Sequence, residues 1–197
     1  MIRSLCVFCG SRPAGGERYR EVGERFGRLV ARSGLDLVYG GSSIGLMGIV
    51  ADAALAAGGR VTGVIPDFMV AKELAHRGLH ELIVVDSMHA RKRTMAERSD
   101  AFVALPGGFG TLEEYFEVLT WSQLRLHRRP VALLNVRGFF DPLLAFMDRA
   151  VADDMLRPEH RSMALAHDDP EALLALLHAQ PAPEAPVGSP GLRGAGG

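Results

Sequence analysis

Lysine is almost missing from this chain: Lys72 and Lys92 are the only two among 22 basic residues, the rest being arginine. That bias, together with abundant alanine, fits a GC-rich genome and by itself says nothing of function. Cysteine is as scarce, with Cys6 and Cys9 alone in a C-x-x-C spacing. Such a pair near a βαβ unit can be a redox motif, but SLCVFCG reads as a buried strand, in which positions three apart face opposite sides of a sheet. Both are therefore expected to be free structural thiols, as in a reducing compartment. Charge of one sign is lacking too: the formal net charge of -1 gives no global attraction to nucleic acid or to an anionic membrane. Nor is there a basic stripe interleaved with aromatics, as single-strand nucleic-acid binding requires. No apolar run reaches the roughly 18 residues of a membrane span, and the apolar segment before Gly10 is too short for a secretory signal. The expectation is a cytoplasmic protein with no membrane and no nucleic-acid partner.

What is present suits one domain with a real core, in a chain of 197 residues. Apolar runs of strand length stand at 5 to 9, 35 to 40, 61 to 65, 82 to 85, 101 to 105, 131 to 135 and 163 to 166. Amphipathic segments near 17 to 33, 45 to 58, 87 to 99, 111 to 127, 140 to 152 and 169 to 178 alternate with them. Because the strand runs are continuous rather than alternating, the sheet is covered on both faces. The fold class is α/β, a Rossmann-like doubly wound parallel sheet with helices on both faces. Residues 1 to 179 form this single domain, with a short helix and loops between Pro66 and Gly78. From 180 to 197 the Pro-, Gly- and Ala-rich composition predicts a disordered tail.

In such a sheet ligands bind beyond the carboxyl ends of the strands. Three strand-to-helix turns there are rich in glycine: CGSRPAGG, YGGSSIGLMG and LPGGFGT. Tight turns alone select glycine, yet three on one sheet edge favour a nucleotide-sized anionic ligand. After the first strand Ser11, Arg12 and Pro13 replace the G-x-G-x-x-G of dinucleotide folds, and no G-x-x-x-x-G-K-[ST] occurs. NAD and a conventionally bound nucleoside triphosphate are excluded.

Two motifs carry chemistry. In LPGGFGTLEE, Gly107, Gly108 and Gly110 with Thr111 open a helix whose N–H groups suit an anion, while Glu113 and Glu114 follow at once. Thr111 to Glu114 also fits the T-x-x-E capping box, in which Glu114 bonds back to the helix start. Alternatively Glu114, about 4.5 Å further along the axis, serves a group attached to a bound phosphate. In MHARKRTMAERS, Met88 and Met95 share a helical stripe with Arg91 and Lys92, where a simple core-facing helix would be apolar. His89, Arg93 and Arg98 read as solvated charges. Arg91 and Lys92 read as ligand groups, because their helix and the glycine loop reach the same sheet edge.

These residues resemble the LONELY GUY (LOG) family of cytokinin riboside 5'-monophosphate phosphoribohydrolases. The signature P-G-G-x-G-T-x-x-E is complete at Pro106 to Glu114 and M-H-x-R-K at Met88 to Lys92. YGG and GLMG between 39 and 48, GVIP at 63 to 66 and E-L-x-H-x-G-L at 73 to 79 match as well, so the resemblance covers residues 4 to 178. Ser42 departs from it, standing where many members have a third glycine.

The resemblance implies an N-glycosyl hydrolase of cytokinin biosynthesis. It would cleave N6-prenyl-AMP or AMP to free base and ribose 5-phosphate, with no cofactor and no metal, as a homodimer. Arg91 and Glu114 are the catalytic pair by position, Glu114 serving the positive charge that develops at C1'. Arginine stays protonated, which makes Arg91 a positioning or binding group rather than an acid. Glu73, Lys92, Gly107, Gly108, Phe109, Gly110, Thr111, Leu112, Glu113, Thr120, Gly40 and Gly41 are the expected substrate-binding residues. The same long helix carries apolar residues on more than one face, in keeping with a dimer. The alternative is a noncatalytic nucleotide or cofactor carrier with the same phosphate cradle, which has no need of a carboxylate at C1'. Some relatives bear the label lysine decarboxylase, but a pyridoxal enzyme needs a Schiff-base lysine, and only Lys72 and Lys92 exist.

Overall fold

The computed structural model describes residues 1–70 and 74–180; the tail expected from 181 to 197, and Lys72 and Glu73, lie outside these. Seven strands form one sheet: β1 (Ser4–Phe8), β2 (Asp36–Tyr39), β3 (Val61–Pro66), β4 (Glu81–Val85), β5 (Ala101–Ala104), β6 (Val131–Leu134) and β7 (Ala164–His167). Their order is β4-β3-β2-β1-β5-β6-β7 and every pairing is parallel. The chain winds outward from β1 to β4, returns to β1's other side and winds outward again. The switch point therefore falls between β1 and β5, where the turns after these strands diverge and leave a crevice.

The helices are α1 (Pro13–Arg18), α2 (Arg20–Arg32), α3 (Gly45–Ala56), α4 (Asp67–Val70), α5 (Met88–Glu97), α6 (Phe109–Gln123), α7 (Asp141–Ala152), α8 (Pro158–Arg161) and α9 (Pro170–His178). None among the described residues is long and apolar enough to cross a membrane. All seven expected strands and all six expected amphipathic segments are present, with two differences at helix starts. The segment expected as one helix from 17 breaks at Tyr19, and α1 begins inside the first glycine-rich turn because Pro13 is pre-organised for a first helical position. The helix expected from 111 starts two residues earlier, at Phe109.

Alternation along the strands divides the core into two layers. Leu5, Val7, Cys9, Ala101, Val103 and Leu105 face the layer under α2, α3 and α9. Cys6, Phe8, Phe102 and Ala104 face the layer under α5, α6 and α7. Cys6 and Cys9 thus sit on opposite faces as free, buried thiols. Burial pushes both thiols far above the ordinary thiol range, with the Glu114 carboxylate adding to it.

Under the first layer α2 and α3 touch backbone to backbone. Gly23 and Gly27, one turn apart on α2, meet Leu46, Val50 and Ala53 of α3. A Cβ on Gly27 would lie 2.3 Å from the Val50 carbonyl oxygen. Gly27→Ala therefore sets two effects against each other: alanine favours a helix by about 1 kcal/mol, whereas forced separation of two packed helices costs about 1–3 kcal/mol. The obstacle is backbone rather than a movable side chain, so the second effect wins. Urea denaturation should show a lower midpoint for Gly27→Ala; a higher midpoint would mean that α3 yields.

Candidate active site

The crevice at the switch point is a cavity of about 710 Å³ lined by the turns after β1 and β5, the start of α3, and side chains from α4, α5 and the turn after β6. The first two turns are tied together. Gly10 N–H donates to the Pro106 carbonyl at 3.1 Å, and the Gly10 carbonyl accepts from the N–H groups of Leu46 and Met47, capping α3. By contrast α6 starts bare. Gly108 is its N-cap, no side chain caps it, and no acid stands in its first turn. The first N–H groups of a helix have no intrahelical partner, so those of Phe109, Gly110 and Thr111 are free for an anion in the cavity. This corrects the capping-box alternative: Thr111 is the third residue of the helix, not its cap, and Glu114 lies too far along to close a box. A Cβ on Gly108 or Gly110 would meet nothing within 4 Å, so intramolecular packing does not demand glycine at either position.

α5 is capped by Ser87, whose hydroxyl accepts from Ala90 N–H at 3.1 Å, and it turns Arg91 and Lys92 inward while His89, Arg93 and Arg98 stay exposed. Arg91 is buried, with 4% of its surface exposed. Its Nε donates to the Val64 carbonyl at 3.0 Å and its Nη2 to the Gly40 carbonyl at 2.7 Å. Its Nη1 stands 3.7 Å from Oε1 of Glu114. Residue 40 must be glycine for this: a Cβ there would lie 1.9 Å from Nη2 of Arg91.

Glu114 is equally buried and accepts no hydrogen bond among the described residues; its ionic contact is the Arg91 guanidinium. Burial pushes its carboxyl up to about 7, Arg91 and Lys92 pull it down, and Glu113 and Glu117 push it up again. The chain thus holds, one helical turn from a bare helix end, an acid that ionises near neutrality inside a cavity. Proton affinity of that kind suits acid–base work at neutral pH.

The cavity brings together Arg91, Glu114, Gly107, Gly108, Phe109, Gly110, Thr111, Leu112 and Glu113. Four other expected residues fall elsewhere. Gly40 and Gly41 do not line it: Gly40 makes room for Arg91, and Gly41 has φ of 72° where the chain leaves β2. Lys92 turns away to Glu113 and Glu117. Thr120 is exposed on α6, outside the cavity. Glu73 lies outside the described residues. Residues that the sequence reading did not assign also line it, chiefly Ser11, Arg12 and Tyr19 near β1, and an apolar wall of Leu46, Met47, Met69, Met88 and Phe139. The first glycine-rich turn signalled Arg12 and Tyr19 only by proximity. Arg12 has no ion pair among the described residues.

Comparison with known proteins shows the family and the fold. The family described as "Possible lysine decarboxylase" matches residues 47–177. A cytokinin riboside 5'-monophosphate phosphoribohydrolase of Rhodococcoides fascians is 50% identical over 89% of this chain and 89% of its own length. A probable enzyme of the same name from Oryza sativa subsp. japonica is 51% identical over 89% of this chain and 78% of its own length. The chain belongs to the LOG family. Among solved structures, the molybdenum cofactor carrier protein of Chlamydomonas reinhardtii superposes with a TM-score of 0.69 at 22% identity, covering 90% of this chain and 97% of that one. The molybdenum cofactor binding protein of Rippkaea orientalis gives 0.64 at 21% identity, with 89% and 93% covered. At that identity the likeness speaks for the fold alone. The decarboxylase wording in the family description finds no support at Lys92: burial works against its charge, but the hydrogen bonds it donates to Glu113 and Glu117 outweigh this and hold the ammonium's pKa above its ordinary value. A Schiff-base nucleophile needs the opposite shift.

The raised Glu114 carboxyl makes a stability prediction. The folded chain binds this proton more tightly than the unfolded chain, so the contribution is fully present below the ordinary value of 4.5 and is lost as pH rises through about 7. Glu114→Gln cannot lose a proton. Between pH 5 and pH 8 its unfolding free energy should fall less than that of the parent chain, by on the order of 3 kcal/mol. Urea curves at both pH values measure it, and parallel pH dependence in the two proteins would show that Glu114 is not the titrating buried acid.

Proposed function

We propose that this chain hydrolyses the N-glycosidic bond of cytokinin riboside 5'-monophosphates, N6-prenyl-AMP and AMP being the substrate class, to free base and ribose 5-phosphate. The observation that carries the reading is the buried Glu114, which among the described residues has only the ionic contact with Arg91, one turn inside the bare start of α6. The 5'-phosphate takes the free N–H groups and the Thr111 hydroxyl, with Arg12 on the facing turn as countercharge. The ribose then extends toward Glu114, and the base lies against the apolar wall of Met47, Met69 and Met88. As the C1'–N9 bond breaks, the ring gains oxocarbenium character, which the Glu114 carboxylate stabilises. Water adds to C1' and gives its proton to that carboxylate, whose affinity near 7 suits the transfer, and the proton passes on to the base that left with the C1'–N9 electron pair, so that free base forms and Glu114 is ionised again. Arg91 is committed to two carbonyls, so its part is to hold Glu114 in place and keep a fraction of it ionised.

The relatives' names support the substrate class. A carrier with the same cradle would bind nucleotide without turnover and would gain nothing from an acid at C1'. Chromatography of purified protein incubated with N6-prenyl-AMP or AMP should show base and ribose 5-phosphate without added metal or nicotinamide, and no release from the nucleosides. Tight nucleotide binding with no base released would establish the carrier instead. In the same assay Glu114→Gln should lower kcat by orders of magnitude with little change in binding.

Thr111→Ala and Arg91→Lys separate the two ends of the site. Loss of the hydroxyl should weaken binding by about 1–2 kcal/mol and act on KM. Loss of the planar fork should act on kcat, because lysine cannot reach two carbonyls and Glu114 together. Equal rises in KM with kcat unchanged would make Arg91 a phosphate clamp.

Two further parts of the reading concern the whole molecule. Leu124 and Leu126 at the end of α6, with 62% and 68% of their surface exposed, support a homodimer through this face, to which Thr120 also belongs. Sedimentation should show a dimer that Leu126→Asp weakens; a monomeric parent chain would refute it. The free Cys6 and Cys9 support a cytoplasmic location, which cell fractionation tests.

A further inference from the structure

Lys92 is a buried cation that the cavity does not use. It leaves α5 next to Arg91 but runs to α6, where its Nζ donates to Glu113 and, at 3.1 Å, to Glu117. Glu113 immediately precedes Glu114 and Glu117 follows it by three residues, so the two bonds bracket the buried acid on its own helix. They differ in weight. Glu113 is 55% exposed and its bond is screened by water, whereas Lys92 and Glu117 are 9% and 25% exposed, where an unpaired charge is costly.

Charge balance adds a second argument. In this cluster the two cations Arg91 and Lys92 face the three carboxyl groups of Glu113, Glu114 and Glu117, so it is neutral only when one carboxyl holds a proton. Glu114 is the most buried of the three, and desolvation places that proton there.

We propose that Lys92 and Glu117 are a positioning pair for Glu114: they lock α5 to α6 so that Glu114 stays beside Arg91, they bias its proton from opposite sides, and Lys92 touches no substrate. This rests on the hydrolase reading for its catalytic consequence, though not for its electrostatic one. From α5, Arg91 and Lys92 face Glu114; from its own helix, Glu113 and Glu117 do; from β1, the thiols of Cys6 and Cys9 do, and burial keeps both protonated. Lys92 therefore favours the ionised form and Glu117 opposes it, so removing each should move the titration in opposite directions.

The test uses Lys92→Met, Glu117→Gln and Lys92→Arg in the full chain. For AMP hydrolysis, the acid limb of kcat/KM should move to higher pH in Lys92→Met and to lower pH in Glu117→Gln, while KM stays within about twofold. Lys92→Arg should keep the parent's limb, since it retains the charge. A readout free of turnover is the carbon-13 titration of side-chain-labelled glutamate, with the Glu114 signal assigned by its loss in Glu114→Gln. It should show the same two opposite shifts. A raised KM with kcat and limb unchanged in Lys92→Met would make Lys92 a substrate ligand and overturn the proposal. Lower melting temperatures with no movement of limb or titration would reduce the pair to a strut and overturn it as well. Should the parent chain release no base at all, the hydrolase reading fails, and the carbon-13 shifts alone decide whether the pair governs Glu114.

Discussion

A carboxyl group withdrawn from water beside a guanidinium that is already engaged elsewhere is the constraint on which the rest of this structure depends. A free arginine would close on Glu114 with two short parallel bonds, holding the carboxylate ionised and immobile. Here the Val64 and Gly40 carbonyls take the Nε and Nη2 donors first, and Nη1 stops 3.7 Å from the acid. The attraction that remains only partly offsets desolvation, so the acid is left near the midpoint of its titration. Glycine at 40 and the parallel strand ends of β2 and β3 follow from this single requirement.

The doubly wound topology explains how a buried acid and a bare helix end coexist in one crevice. A carboxylate at the first turn of α6 would compete with a bound phosphate for the same N–H groups. Placing it in the next turn, buried, leaves the helix end bare and sets the acid about one turn further in. β1 and β5 meet at the switch point, so the turn that caps α3 and the turn that opens α6 form opposite walls of one crevice.

Much of this was legible in the sequence because it rests on short-range pattern. Continuous apolar runs gave the parallel sheet, and the Met88, Arg91, Met95 stripe identified charged residues on an inward face. Period-2 logic placed Cys6 and Cys9 on opposite layers. What stayed hidden depends on distances between elements. A helical stripe says that Lys92 points inward, but not that α6 rather than the cavity receives it. A glycine at 40 looks like part of a phosphate turn; its purpose appears only when a side chain 51 residues later lies where its Cβ would be. The start of α6 was misread because Thr111 is a favourable cap in isolation, whereas the chain is already helical at Phe109. Met69, on the four-residue helix α4, joins the apolar wall from a stretch with no periodicity to betray it.

The acceptors of Arg91 also bear on how the chain matures. The Gly40 and Val64 carbonyls lie 51 and 27 residues upstream of Arg91, and Glu114 lies downstream on the other side of the switch point. No segment shorter than the stretch from β2 to α6 can assemble this charge cluster. Until these elements pack, Glu114 lacks the burial that raises its carboxyl above the ordinary value of 4.5. The raised proton affinity of this one side chain is thus also a sign that β2, β3, α5 and α6 have come together.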